Sequence, residues 1–144
     1  MTAPPSETLH ASCVAIGGRA LLIAGPSGSG KSDLALRLID RGATLVSDDY
    51  THLTRSGERL IASAPDRIAG RIEVRGIGIV ALPWIRNVPV ALLLRIEDRP
   101  ERMPLSYDIQ AIAGVDVPVF AIAALEASAA VKAELALRQV ETLR

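Results

Sequence analysis

The chain has 144 residues, 49% of them apolar but only one Trp, two Tyr and one Phe, so its length fits a single domain whose core is built from Leu, Ile, Val and Ala. Sixteen basic residues cancel sixteen acidic ones, which excludes a net field that would draw the chain to nucleic acid or an anionic membrane; any phosphate must be held by a local site. The single cysteine, Cys13, excludes an internal disulfide and is consistent with a reducing cytoplasm.

Residues 1–8 carry two prolines and small polar side chains and read as a flexible lead-in. They lack the basic-then-apolar pattern of a signal peptide. Apolar stretches such as Val90–Leu94 fall far short of the ~18 residues of a membrane span. The expectation is a soluble cytoplasmic protein with one domain over residues 9–144.

Cys13–Ile16 is a short apolar run closed by Gly17-Gly18, a hairpin signal. Ala20–Ala24 is continuously apolar, as a strand buried on both faces should be. Leu34, Ala35, Leu38 and Ile39 recur at helical spacing across Lys31–Arg41, and Gly42 is placed to end that helix. Thr44–Ser47 reads as the next strand and runs into Asp48-Asp49. Further strands are predicted at Arg59–Ala62, Arg71–Val74, Ile77–Leu82, Val88–Ile96, Tyr107–Ile112 and Val117–Ile122. Ser56-Gly57 and Asn87 are read as turns between them. Glu126–Leu143, rich in Ala, Leu, Glu, Lys and Arg, predicts a final helix. A βαβ unit, then strands, then a helix implies a mixed α/β sheet with flanking helices rather than a doubly wound one.

Gly25-Pro26-Ser27-Gly28-Ser29-Gly30-Lys31-Ser32 satisfies G-x-x-x-x-G-K-[ST], with a buried strand before it and an amphipathic helix after it. The glycines let the backbone approach a phosphate closely. Successive amides form an anion-binding concavity, and the helix N-terminus adds roughly half a positive charge there. Lys31 can reach the terminal phosphates of a nucleotide such as ATP, and the Ser32 hydroxyl can ligate Mg²⁺.

Asp48 and Asp49 end the strand after that helix, and ligands collect at the carboxyl ends of strands. If this strand neighbours Ala20–Ala24 and runs parallel to it, the pair faces the phosphates. One carboxylate can then hold Mg²⁺ and the other can accept the proton of an attacking hydroxyl. The competing reading is a solvated Asp-Asp loop. Adjacent strand residues point to opposite faces, so both acids reach one site only if the strand ends there, as Tyr50-Thr51-His52 suggests.

Together, His10, the glycine loop, Arg41-Gly42, Leu45–Asp49 and the run Arg71-Ile-Glu-Val-Arg-Gly-Ile-Gly-Ile79 resemble the catalytic domain of HPr kinase/phosphorylase. The resemblance covers residues 8–97 well, and the sequence reads as a short form consisting of that domain. It implies a P-loop kinase-like, phosphoenolpyruvate carboxykinase-like fold. It also implies a Mg²⁺-dependent protein serine kinase that uses ATP on HPr, the small carrier of the sugar phosphotransferase system. Pyrophosphate serves as donor in some members, and inorganic phosphate can remove the seryl phosphate. The resemblance assigns Asp49 as proton acceptor and Ser32 and Glu73 as metal ligands with Asp48 nearby. His10 and Lys31 match active-site positions, and Arg75 lies in the signature segment. Without the resemblance, Glu73 and Arg75 read as a salt-bridge ladder on an exposed strand, Gly76 and Gly78 as a bulge, and His10 as a surface histidine.

The family's late P-G-R-N segment has no counterpart in Val117–Ile122, and its late catalytic arginine corresponds to Arg102, with Arg99 as competitor. These departures motivate an alternative: an ATP-binding regulatory module with little transfer activity. The last helix spreads Ala127, Val131, Leu135, Leu137 and Val140 over a broad apolar surface, read as core packing. The resemblance, with its hexamers, implies a homo-oligomer.

Overall fold

The computed structural model describes residues 3–104 and 106–142. The elements in chain order are β1 (Ser6–Leu9), β2 (Ala11–Ile16), β3 (Arg19–Ala24), α1 (Lys31–Asp40), β4 (Thr44–Ser47), β5 (Thr51–Ser56), β6 (Arg59–Ser63), β7 (Arg71–Val74), β8 (Gly78–Ala81), β9 (Val88–Ile96), β10 (Asp108–Ile112), β11 (Val115–Ile122) and α2 (Ala129–Thr142). Among the described residues, nine strands form one mixed sheet and β7–β8 form a separate hairpin. The fold is mixed α/β with few helices.

The main path of the sheet runs β1-β5-β6-β9-β3-β2-β4, with β11 and then β10 added along β9. Two links make this sheet curl. β1 and β2 lie far apart in the strand order, yet only His10 joins them. β4 and β5 are likewise separated, and Asp48–Tyr50 joins them. Consecutive Cα atoms are about 3.8 Å apart, so a one-residue link holds the two strand ends within roughly 8 Å. The β1–β5 end therefore folds back against the β2–β4 end. The Thr51 hydroxyl donates to the Ala11 carbonyl at 2.8 Å, buried at that seam.

β3 is buried on both faces, as its unbroken apolar run implies. Leu21 and Ile23 meet the helices, in a cluster with Leu34, Leu38, Leu92 and Leu94. Ala20 and Leu22 meet the inside of the curl, with Cys13, Val46, Leu53, Leu60 and Leu93. α1 ends in a Schellman turn: the Gly42 amide donates to the Ile39 carbonyl (3.0 Å) and the Ala43 amide to the Leu38 carbonyl (3.0 Å). Gly42 has φ +112°, where a Cβ would be strained.

Several sequence expectations are corrected. The end of the expected lead-in 1–8 belongs to β1, Ser6–Leu9, because β5 offers a partner edge in register Ser6↔Thr54 to Leu9↔Thr51. β5 itself was not foreseen; His52 and Arg55 interrupt its apolar pattern. β4 does not lie beside β3: β2 sits between them and is antiparallel to both. Two antiparallel steps restore the direction, so β3 and β4 still end on the same side. Gly76 and Gly78 shape the β7–β8 turn rather than a bulge, since the register runs unshifted from Arg71↔Ala81 to Val74↔Gly78. α2 begins at Ala129, not Glu126, because the Glu126 carbonyl is taken by the Arg37 guanidinium and the Ala129 amide. Leu143, the expected last helical residue, lies outside the described residues. Of the broad apolar surface, Leu137 and Val140 are buried, whereas Val131 and Leu135 are exposed.

Burial pushes the Cys13 thiol far above the ordinary range, so it stays protonated in the folded chain. A thiol reagent added at pH 8 should label Cys13 only as the chain unfolds. Labelling across a urea series should track loss of secondary structure by circular dichroism.

Candidate active site

β3 and β9 are parallel, as are β9 and β11, and β4 runs the same way, so four strands deliver their carboxyl ends to one end of the sheet. From β3 the chain enters the Gly25–Ser32 loop and then α1. From β4 it enters Asp48–Tyr50. His10 arrives from the amino end of β2, where Ala11 pairs with Ala24.

The loop is held from within. Lys31 is buried and its ammonium donates to the carbonyls of Gly25 (2.9 Å) and Pro26 (3.2 Å). The Ser29 amide donates to the Pro26 carbonyl at 3.1 Å. Gly25 is tightly enclosed: a Cβ there would lie 2.7 Å from Ser29 Oγ and 3.1 Å from Ile96 Cβ. Ser29 Oγ is buried without a hydrogen-bond partner among the described residues. An unpartnered buried hydroxyl costs about 1–3 kcal/mol, and an anion in the loop would supply its acceptor. Behind the loop, Arg37 clamps the carbonyls of Ala124 and Glu126, which presses the segment after β11 against Gly30.

The two aspartates have separate environments. Asp48 is buried; its Oδ1 accepts from Ser12 Oγ (2.9 Å) and Ser32 Oγ (2.6 Å), and its Oδ2 accepts from the Glu73 amide (3.0 Å). One carboxylate thus ties β2, the head of α1, the end of β4 and β7. Asp49 is a little over half exposed, at 54% of its side chain, and its Oδ1 lies 2.7 Å from His10 Nε2. An ionised carboxylate only accepts, so in that state Nε2 carries the shared proton. The Tyr50 ring stacks on His10 at 4.9 Å. Asp49 has φ +67°, in the left-handed region. The turn is held by the Tyr50 amide on the Asp48 carbonyl (2.7 Å) and by the Ser47 hydroxyl on the Tyr50 carbonyl.

His10, Asp49, Asp48, Ser32 and the loop are therefore gathered at one end of the sheet. Glu73 reaches Asp48 through its main chain, while its carboxylate is exposed and makes no hydrogen bond or ion pair among the described residues. No ion pair joins it to Arg75, which sits exposed at the β7–β8 turn. Arg102 and Arg99 lie in the exposed connection from β9 to β10 and contact none of these groups. This sheet end also holds Arg95 of β9, which pairs with Ala24 of β3. Hydrogen bonds to Asp108 and then Glu97 push it above the ordinary guanidinium range. A groove of about 710 Å³ beside α2 is lined by Arg95, Tyr107 and Lys132, and neither Lys31 nor Asp49 borders it. Sequence reasoning missed Ser12; the only available signal was a hydroxyl in an otherwise apolar strand.

The donors Ser32 Oγ and Asp48 are oxygens, which suits a hard cation. Among the described residues no group of three or more His, Cys, Asp or Glu forms a dense metal cage. Mg²⁺ needs no such cage, since it keeps waters and borrows substrate phosphates.

The family model described as HPr Serine kinase C-terminal domain matches residues 2–86. The chain belongs to that family. An HPr kinase/phosphorylase of Clostridium botulinum (strain Eklund 17B / Type B) is 46% identical over 76 residues, 53% of this chain and 25% of that one. One of Azoarcus sp. (strain BH72) is 34% identical over 125 residues, 77% of this chain and 40% of that one. The chain thus spans between a quarter and two fifths of these two relatives. The solved structure of the Hpr(Ser) kinase/phosphatase from Coxiella burnetii superimposes with a TM-score of 0.82 at 31% identity, covering 95% of this chain and 97% of that one. The HPr serine kinase fold therefore extends beyond the segment that the family model matches.

Removing the Asp48 carboxylate would leave two hydroxyls and an amide without their acceptor. Asp48→Ala should lower stability by about 1.5–3 kcal/mol in urea melts. Asp49→Asn, at an exposed position, should stay within about 0.5 kcal/mol of the parent.

Proposed function

We propose that this chain, from β1 onward, is the catalytic domain of a Mg²⁺-dependent protein serine kinase that transfers the terminal phosphoryl group of ATP to a serine of HPr. One observation carries the reading: a half-exposed Asp49, paired with His10, stands beside the buried Asp48–Ser32 pair at the head of the helix that follows the glycine loop. The fold is then P-loop kinase-like and related to phosphoenolpyruvate carboxykinase.

The roles follow from the environments. The Gly25–Ser32 amides cradle the phosphates, and Lys31 exchanges its carbonyl partners for phosphate oxygens. Ser32, Asp48 and Glu73 are the residues that would hold Mg²⁺, which when bound neutralises charge on the transferring group. Because the Ser32 proton is donated to Asp48, its lone pairs are left facing away from that carboxylate. Asp49 accepts the serine proton, and His10 orients that carboxylate. In reverse, Asp49 returns the proton to the serine oxygen while inorganic phosphate takes the phosphoryl group and leaves as pyrophosphate. Arg75 and Arg102, both exposed, would add positive charge to the phosphoryl group in transfer. The exposed Val131 and Leu135 of α2 support a homo-oligomer. Among the described residues no helix is long and apolar enough to cross a membrane.

The test is phosphoryl transfer from labelled ATP to purified HPr with Mg²⁺. The chain should label a serine, and Asp49→Asn should lower kcat by about 10²–10⁴, the usual worth of a general base. Lys31→Ala should cost at least as much, since charge neutralisation dominates a loose transition state. Tight ATP binding without labelling of HPr would instead identify an ATP-binding regulatory module.

A further inference from the structure

We propose that Ser12 is a positioning residue: its hydroxyl clamps the Asp49 main chain to the Asp48 carboxylate and so sets where the Asp49 carboxylate stands. The proposal rests on the kinase reading for its effect on rate, and on geometry alone for the clamp.

Ser12 is fully buried, on a strand whose neighbours Ala11, Cys13 and Val14 are apolar and equally buried. A hydroxyl in such a strand needs internal partners, and an alanine would fill most of the same space without needing any. The partners are both aspartates. Ser12 Oγ donates to Asp48 Oδ1 at 2.9 Å and accepts from the Asp49 amide at 3.1 Å. One hydroxyl has one proton to give and lone pairs to receive, so both bonds are made at once. Asp49 is held at φ +67°, a conformation uncommon for side-chain-bearing residues though more accessible to Asp than to most, and the hydroxyl fixes it there. The carboxylate reaches His10 from that conformation.

The two ends of the clamp differ in how replaceable they are. Asp48 Oδ1 keeps Ser32 as a donor if Ser12 is lost, and Oδ2 keeps the Glu73 amide. The Asp49 amide has no second acceptor among the described residues. Loss of the hydroxyl therefore acts selectively on Asp49 and leaves the loop, Lys31 and Ser32 in place.

The experiment compares the parent chain with Ser12→Ala and Ser12→Thr. Ser12→Ala should lower kcat for HPr phosphorylation by roughly 10- to 100-fold, the scale on which a shift of about 1 Å at a reacting group acts. KM for ATP should stay unchanged, and Ser12→Thr, which keeps the hydroxyl, should restore most of the rate. Hydrogen exchange gives a readout independent of turnover. In Ser12→Ala the Asp49 amide should exchange at least about 10-fold faster, while the Glu73 amide should keep its parent rate. A purely structural role would speed both amides, and would raise KM for ATP as the loop loosened; either result overturns the proposal, as does a Ser12→Ala variant with parent kcat and parent exchange. If the parent itself transfers no phosphate to HPr, the kinase reading fails and the two amides alone decide the clamp. The same two amides decide it if the added methyl of Ser12→Thr prevents folding.

Discussion

The structure depends on one constraint: strands that lie far apart in the sheet are joined by very short links. His10 alone connects β1 to β2, and Asp48–Tyr50 connects β4 to β5. Chain connectivity at that scale leaves the sheet no choice but to curl until its two ends meet. The residues in those links stand on the seam. They are turned out of regular strand geometry, so their side chains are free of the alternation that a strand would impose. That is why an adjacent acidic pair can serve two purposes, one carboxylate buried as a hub and its neighbour half exposed beside His10.

The hub solves a packing problem as well as a chemical one. Helix α1 must sit on the sheet with its amino end at the seam, and the hairpin β7–β8 must be held although it shares no ladder with the main sheet. Asp48 reaches both, through the Ser32 hydroxyl and the Glu73 amide. The buried carboxyl group is acceptable because three donors satisfy its oxygens. The glycine loop is secured on its other flank by Arg37, whose grip on two main-chain carbonyls after β11 couples the loop to the base of α2.

Much of the fold was legible because local pattern and final environment agree. Ala20–Ala24 reads as a doubly buried strand and is one; Lys31–Arg41 shows its apolar stripe and its glycine stop. What failed to show was non-local. β1 and β5 carry few apolar residues and exist through pairing, β1 on one edge of β5 and β6 on the other. The insertion of β2 between β3 and β4 is a pairing choice that no spacing reveals. At the candidate site the glycine motif and the acidic pair were visible from spacing, and so was the strand end that brings them together. The difference between the environments of Asp48 and Asp49 was not, because it goes with Ser12, Ser32 and the Glu73 amide around one carboxylate and a positive φ at the other, none of which leaves a periodic trace. Arg75 and Arg102 were legible only through the resemblance: both stand exposed, and neither makes a hydrogen bond or ion pair among the described residues that would explain its place.

The left-handed backbone at residue 49 has an implication for engineering. Asparagine tolerates that conformation better than aspartate does, and glycine adopts it freely. A library selected purely for heat resistance would therefore drift toward those two residues at this position, and under the kinase reading it would enrich robust, inert molecules. Thermal ranking and catalytic ranking should diverge here more than at ordinary surface sites, so a screen on this scaffold needs to read turnover directly.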